Sequence, residues 1–395
     1  MHQLWSEAIR GARTQAALSI DDLAGRARIP PARLVALEGE AADVSVGELM
    51  AISHALRLDL PALLRGEVVR EPSASLAFRS RAEGWAALTD ADLAACEAAL
   101  RAARSLLRVN ERLGRPAPSR WSLAPTTPSV ALEKEVIQLA GAVRALLGNA
   151  EGCLPDMVGV FDSLDLLVVE HDFRDDRVEA VAVTESAAQA AAAVLVSPRS
   201  SSWRHPRRRR VLLAHELCHA LFDRGENGAE VVTDLAPLSP ADEGTDDARY
   251  LPQDVARERR ARAFAAELLI PTAALTSLLG PPRGSHDYAE AKRLVSTVRE
   301  RFETPIELAL NQLWNRRYLV AIPGLASEDP RSELLSWLRW HGGTSEEEPV
   351  RTPTAPGLLA RRVEEAWRGD LCSDGEARRW LGLSPTDDLP FGRTE

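Results

Sequence analysis

The sequence predicts a predominantly helical α+β fold. Ala, Leu and Arg dominate the composition, and aromatic residues make up only 5%, a balance that favours helix. Apolar residues recur at helical spacing along most of the chain. Strand-like runs are confined to three short segments, LDLLVV at 164–169, VEAVAV at 178–183 and AVLVS at 193–197. The length of 395 residues suggests two or three domains. Apolar residues at 45% and charged residues at 27% exclude global disorder.

Residues 1–66 read as a run of short helices. Residues 6–17 are helix-permissive, and Ser19 and Asp21 can cap a second helix. Pro30-Pro31 start a third helix that runs through Glu38 and stops at Gly39. Ser45 and Glu48 make a capping box for a fourth, and Pro61 to Leu64 form a fifth turn. Thr89 and Asp92 cap a long amphipathic helix carrying Leu93, Cys96, Leu100, Ala103 and Leu107 on one stripe. Residues 115–128 hold four prolines and read as a linker. A helix over 133–147 ends at Gly148-Asn149, and the three strands follow. Strand signals then cease. Helices are expected at 207–223, 254–269, 286–302 and 304–317, with a polar, acidic stretch at about 224–253. Residues 343–357 read as a second linker before a short helical tail.

The net charge of −10, from 48 basic and 58 acidic residues, repels nucleic acid as a whole, so any DNA contact must be local. No stretch reaches 18 uninterrupted apolar residues, so no membrane span is expected. The first residues, MHQLWSEAIRGARTQ, lack the basic-then-apolar order of an export signal. Cys96, Cys153, Cys218 and Cys372 form no CxxC pair. They suggest neither a disulfide scaffold nor a cysteine zinc ribbon, and a reducing cytoplasm is the expected compartment.

The chemistry-bearing signal is the run LAHELCHAL at 213–221. His215 and His219 stand at i and i+4, so on a helix both imidazoles face one side and can hold one Zn²⁺. Glu216 points to the neighbouring side, where it can hold the attacking water. At this composition such a pattern arises by chance about 0.01 times per chain. A third protein ligand is needed. Glu258 leads, because it shares a helix face with Ala261, Ala265, Leu268 and Leu269, where a carboxylate is costly unless it binds something. Asp254 lies one turn earlier, and Asp223, Glu226 and Glu230 are further alternatives. Glu267, about half a turn away in azimuth, is expected to be solvated.

RRRVLLAHELCHALFD with the downstream ERRARAFAAELLIP resembles the ImmA/IrrE family of bacterial zinc metallopeptidases. That family pairs an AHE-x-x-H helix with a later E-x-x-A-x-x-F-A-x-x-L-L-x-P helix. The resemblance covers about 129–320 and implies zinc on His215, His219 and Glu258, with Glu216 as general base. It departs at Cys218, where Gly or Ser is usual, and in the 38 residues between His219 and Glu258, which an acidic insertion at 225–252 would explain. Upstream, IDDLA at 20–24, Ile29, LVALEG at 34–39, Leu49, Ile52, Ala55-Leu56 and Leu63-Leu64 resemble a lambda-repressor-like (XRE-type) helix-turn-helix domain. That resemblance makes 31–38 the recognition helix, with Arg33 and Arg28 as candidate DNA contacts. Residues 1–66 carry 7 basic and 8 acidic side chains, however, so docking a partner protein or dimerisation is the alternative.

Smaller features complete the inventory. Arg207 to Arg210 oppose the dipole at the start of the metal helix, so the acidic insertion, a nucleic-acid ligand or solvent should offset them, the first or last being favoured. His205, Tyr250 and a backbone N–H are candidates for stabilising an oxyanion. His171 reads as strand surface, and Trp314, Trp337 and Trp340 as core.

The expected organisation is a five-helix N-terminal domain at 1–68, a helical connector at 69–128, a zincin-like metallopeptidase domain with a small sheet at 129–325 and a helical C-terminal region at 326–395. The expected function is a zinc-dependent endopeptidase that cleaves one partner protein. By the family resemblance that partner is a transcriptional repressor encoded nearby, in a stress-response, mobile-element or phage-defence switch. The alternative is a DNA-binding transcriptional regulator with a structural or sensory zinc and no peptidase activity.

Overall fold

The structure is a computed structural model. It describes the chain except residues 1, 16–17, 28, 40–43, 57, 59–62, 64–75, 78–87, 125, 127, 129–130, 155, 186–190, 224–228, 236–251, 284–287, 320–334, 337–356 and 392–395. Two compact units divide it, Met1–Leu76 and Ala77–Glu395.

In the first unit, α1 (His2–Gln15), α2 (Ile20–Ala27), α3 (Pro31–Glu38) and α4 (Val46–Leu56) surround a core of Trp5, Ile9, Leu23, Leu34, Leu37, Leu49 and Ile52. Pro31 opens α3 at the first helical position, where its missing N–H costs nothing. The box at α2 uses Asp22 rather than Asp21: Ser19 Oγ accepts from Asp22 N at 3.0 Å, and Asp22 Oδ2 accepts from Ser19 N at 3.1 Å. Buried Glu38 accepts two bonds from Arg13, at 2.7 and 2.8 Å, and ties α3 to α1. The fifth turn falls, apart from Leu63, outside the described residues.

The second unit begins with α5 (Asp90–Arg112), capped by the expected Thr89–Asp92 box. Then come α6 (Leu132–Leu146), α7 (Met157–Ser163), β1 (Leu167–Glu170), β2 (Val178–Thr184), β3 (Ala192–Val196), α8 (Ser201–Arg204) and α9 (Pro206–Phe222). After these lie β4 (Ala229–Leu235), α10 (Pro252–Leu269), α11 (Thr272–Leu279), α12 (Tyr288–Phe302), α13 (Ile306–Asn315), α14 (Leu358–Arg368) and α15 (Asp374–Leu381). Of the five strands of the sheet, these four lie in the order β4-β2-β3-β1. β2 is antiparallel to both neighbours, with Val181 opposite Leu195 and Thr233, while β1 runs parallel to β3.

Every residue of β2 and β3 is buried, as expected of strands covered on both faces. Ala180, Ala182, Val194 and Val196 join the core that holds α9. The alternate residues Val181, Val183, Ala193 and Leu195 are buried on the opposite pleat, and α5 packs against the same strands. The α5 stripe is carried by Cys96, Leu100, Ala103, Leu106 and Val109, so it drifts one position from Leu107. α14 and α15 pack onto α5, with Arg115 bonding Glu365 at 2.9 Å.

Three expectations need correction. β4 exists, where strand signals were expected to have ceased. The Pro-rich segment, read as a linker, is packed into the second unit. It forms a 3-10 turn over Ser119–Ser122, and buried Arg120 donates to Leu164 O at 2.8 Å. Glu267 is buried, not solvated. At the start of α9 two of the four arginines meet carbonyls and a ring, and the acidic stretch lies mostly outside the described residues. Arg210 is buried and donates to Leu154 O at 3.2 Å, and Arg209 donates to Trp203 O at 2.7 Å and stacks over the Trp203 ring.

His171 bonds Asp92 Oδ1 at 2.8 Å, which fastens α5 to the end of β1. Trp314 is partly buried against the main core, whereas Trp337, Trp340 and the expected linker at 343–357 fall, apart from Gly357, outside the described residues. No single helix among the described residues is long and apolar enough to cross a membrane.

Candidate metal centre

The site is built on α9 and α10. From Leu212 to Phe222 every residue of α9 is buried. Leu213, Leu217 and Leu221 join the core shared with the sheet and α10. A helix sheathed this way is fixed in both rotation and translation, so its side chains have defined positions. α10 packs alongside, and Ala261, Phe264, Ala265, Leu268 and Leu269 are its buried apolar face. Small Ala261 and Ala265 suit close approach of the helices, and Phe264 meets Phe222 edge-on at 5.7 Å.

That packing brings His215, His219 and Glu258 together, all three buried, with one potential ligand atom from each within 4.8 Å of the others. The His215 and His219 Nε2 atoms stand 2.9 Å apart. Glu258 Oε2 lies 3.3 Å from His215 Nε2, and Oε1 lies 3.6 Å from His219 Nε2. Tetrahedral zinc with bonds of ~2.0–2.1 Å would space its ligand atoms ~3.3 Å apart. The triangle therefore fits one such ion, and two imidazoles with a carboxylate are a donor set that suits it. Glu216, the next residue on α9, is fully buried in the same helix.

Two other candidates are described and stand apart from the triangle. Asp223 is no member of the triangle: its Oδ2 accepts from His219 Nδ1 at 2.6 Å. Tyr250 and Glu226 lie outside the described residues, as do the side chains of Asp254 and Glu230. His205 sits at the N-cap of α9, ten residues before His215, or roughly 15 Å along the axis, out of reach of the site.

Burial pushes the Cys218 thiol well up, with the Asp223 charge adding to it, so Cys218 fills space beside the site as a neutral small side chain. In the N-terminal unit Arg33 donates to Glu48 at 2.6 and 3.1 Å, and Arg28 lies outside the described residues.

Sequence reasoning weighed Asp223 only as a ligand and passed over Arg260. Asp223 stands four residues after His219, one turn on along the same face, and that spacing was the available signal. Arg260 carried none, because its partners Thr126 and Glu135 lie more than a hundred residues upstream.

A His-His-Glu triangle on two packed helices, with a glutamate following the first histidine, defines the class of HExxH metallopeptidase sites. Residues 164–313 match the family model of the IrrE N-terminal-like domain, Peptidase M78. The match runs from the residue after α7 into α13 and takes in both helices of the site. No curated protein matches the chain.

Proposed function

We propose that the protein is a zinc-dependent endopeptidase, with Zn²⁺ held by His215, His219 and Glu258. The observation that carries this reading is the buried three-residue triangle lying beside Glu216 on the same helix. When bound, zinc supplies Lewis acidity, which polarises the scissile carbonyl and makes water a nucleophile near neutral pH. Glu216 holds the attacking water, takes its proton on a carboxylate oxygen and passes that proton to the leaving amine. A structural zinc site has no use for a carboxylate there, and burying one is costly. This argues against a regulator that only binds metal.

The proposed substrate is one partner protein, a transcriptional repressor encoded nearby, in a stress-response, mobile-element or phage-defence switch. The family resemblance supports it. The N-terminal unit is the proposed targeting module. With Arg33 committed to Glu48, and α3 exposing Pro31, Ala32 and Val35 (55% exposed), we favour docking to protein over DNA.

The test is Glu216→Gln, which keeps shape and leaves the ligands in place. It should hold about one zinc per chain and cut the neighbouring repressor at least ~100-fold more slowly. Glu258→Ala should lose most of the zinc. A Glu216→Gln strain with the full regulatory phenotype, where gene deletion removes it, would sink the peptidase reading.

A further inference from the structure

Beyond the triangle, α9 ends in a buried chain of charges that the proposed reaction does not use. Asp223 follows the last residue of α9, and its side chain and that of His219 are both wholly buried. A carboxylate there is disfavoured twice: it loses its water, and it faces the negative end of the helix dipole. The compensation comes from α10. Arg260, also fully buried, places Nη2 on Asp223 Oδ1. Its Nη1 donates to Thr126 O at 2.7 Å, Thr126 Oγ1 at 2.9 Å and Glu135 Oε1 at 3.2 Å, so the guanidinium is held from both sides. Arg257 brings a second cation to 3.6 Å from the same Asp223 oxygen. Thr126 in turn donates its N–H to Phe222 O at 3.2 Å and closes the loop onto the end of α9.

We propose that Asp223 and Arg260 are a positioning pair for the metal centre: Asp223 fixes the His219 imidazole with its proton on Nδ1 and its Nε2 free to ligate, and Arg260 holds Asp223 in place. This rests on the zinc site proposed above. Two features make the arrangement more than a helix staple. First, Asp223 addresses the ring nitrogen opposite the one in the triangle. A carboxylate accepting from Nδ1–H selects the tautomer a metal needs and raises the basicity of the other nitrogen. Second, the pair joins the two helices that supply ligands. α9 carries His215 and His219 and is capped by Asp223, and α10 carries Glu258 two residues before Arg260. The spacing of Glu258 from the imidazoles is thus set beside the site itself.

The test uses the full chain, with zinc affinity measured by chelator competition and Co²⁺ as a spectroscopic substitute. Apo-protein thermal unfolding serves as the folding control. Asp223→Asn keeps the size and an acceptor oxygen but removes the charge. It should weaken zinc binding ~10–100-fold and shift the cobalt d–d band. Arg260→Met should do the same, and Arg260→Lys should restore part of the affinity. Adding Arg260→Met to Asp223→Asn should cost little more, because Arg260 acts through Asp223.

A folded Asp223→Asn protein with wild-type zinc affinity and an unshifted band would overturn the pair's role while leaving the zinc site standing. If Asp223→Asn does not fold, the arginine variants decide. Equal affinity in the Lys and Met forms would then overturn it. Wild-type protein that takes up no zinc would overturn the metal site, and the pair's role with it.

Discussion

Replacing Glu267 by Ala should destabilise the second unit by about 3 kcal/mol. The figure follows from what its carboxylate holds together. Glu267 is 4% exposed and accepts from Thr272 N and Oγ1, each at 2.8 Å, from Gln312 Nε2 at 3.0 Å and from Arg316 Nη2 at 2.9 Å. One of these donors is a backbone N–H at the start of α11, which gains from a nearby negative charge. Charge-assisted bonds contribute roughly 1.5–3 kcal/mol each, but they do not add when they share one acceptor group. Stranding one partner of a buried ion pair costs about 3–5 kcal/mol. Arg316 keeps a second carboxylate partner in Glu133, so the cation is not left unpaired and the low end applies. Glu267→Gln, which keeps an acceptor and the shape, should cost about half as much. The assay is thermal and urea unfolding of the metal-free full chain, followed by far-ultraviolet circular dichroism. Melting of the second unit should fall by roughly 6–12 °C. Because Glu267 lies nine residues beyond Glu258 and outside the triangle, zinc content at low temperature should be unchanged. A loss below about 1 kcal/mol would refute the idea that this carboxylate organises the α10–α11–α13 junction.

Two further outcomes are expected. Burial drives the Cys96 thiol up to about 12 and the Cys218 thiol well above its ordinary range, so a thiol reagent at pH 8 should label Cys153 and Cys372 in the folded protein and all four cysteines only after denaturation. The Arg33 guanidinium, aided by the Ser45 N–H, holds the Glu48 carboxyl down at about 2 from an ordinary 4.5. Its folded value is depressed, so its contribution is full above 4.5 and fades as pH falls through about 2. Glu48→Gln should therefore destabilise α4 by about 1–2 kcal/mol at pH 7 and by almost nothing near pH 2, read by amide hydrogen exchange.

What was legible in the sequence is what local spacing encodes. The i, i+4 histidines, the glutamate between them and the small-residue face of α10 are all short-range patterns, and the structure brings His215, His219 and Glu258 together. The capping boxes at Thr89 and Ser45 were legible for the same reason. What was missed depends on distant partners. AEVVTDL at 229–235 carries acidic residues inside an acidic stretch, and its pairing with β2 recruits it as a strand. Glu267 looks solvated until Gln312 and Arg316, 45 and 49 residues away, are folded against it. The prolines at 115–128 suggested a linker, but Pro118 and Arg120 are buried, and Arg120 finds its acceptor at Leu164, 44 residues on.

The use of the N-terminal unit turns on one ion pair. In a helix-turn-helix reading, α3 enters the major groove and Arg33 is its reader. Yet Arg33 Nε and Nη2 both donate to Glu48, which also accepts from Ser45 N at 2.9 Å. Glu48 stays ionised down to about pH 2, so no physiological pH change frees Arg33. Glu48→Gln frees it without removing it, and Arg33→Ala removes it. If the unit docks protein, Arg33→Ala weakens the α3–α4 junction by about 1 kcal/mol, and neither change creates DNA binding. If the unit reads DNA through Arg33, Glu48→Gln should tighten binding and steepen its dependence on salt by about one phosphate contact, and Arg33→Ala should cost about 1–3 kcal/mol. Salt titrations of the full-length wild type and both variants on operator-containing DNA separate the two. Tighter, steeper binding by Glu48→Gln would refute the preference for docking, because exposed Val35 and Ala32 give no reason for a charge at position 33 to act on DNA.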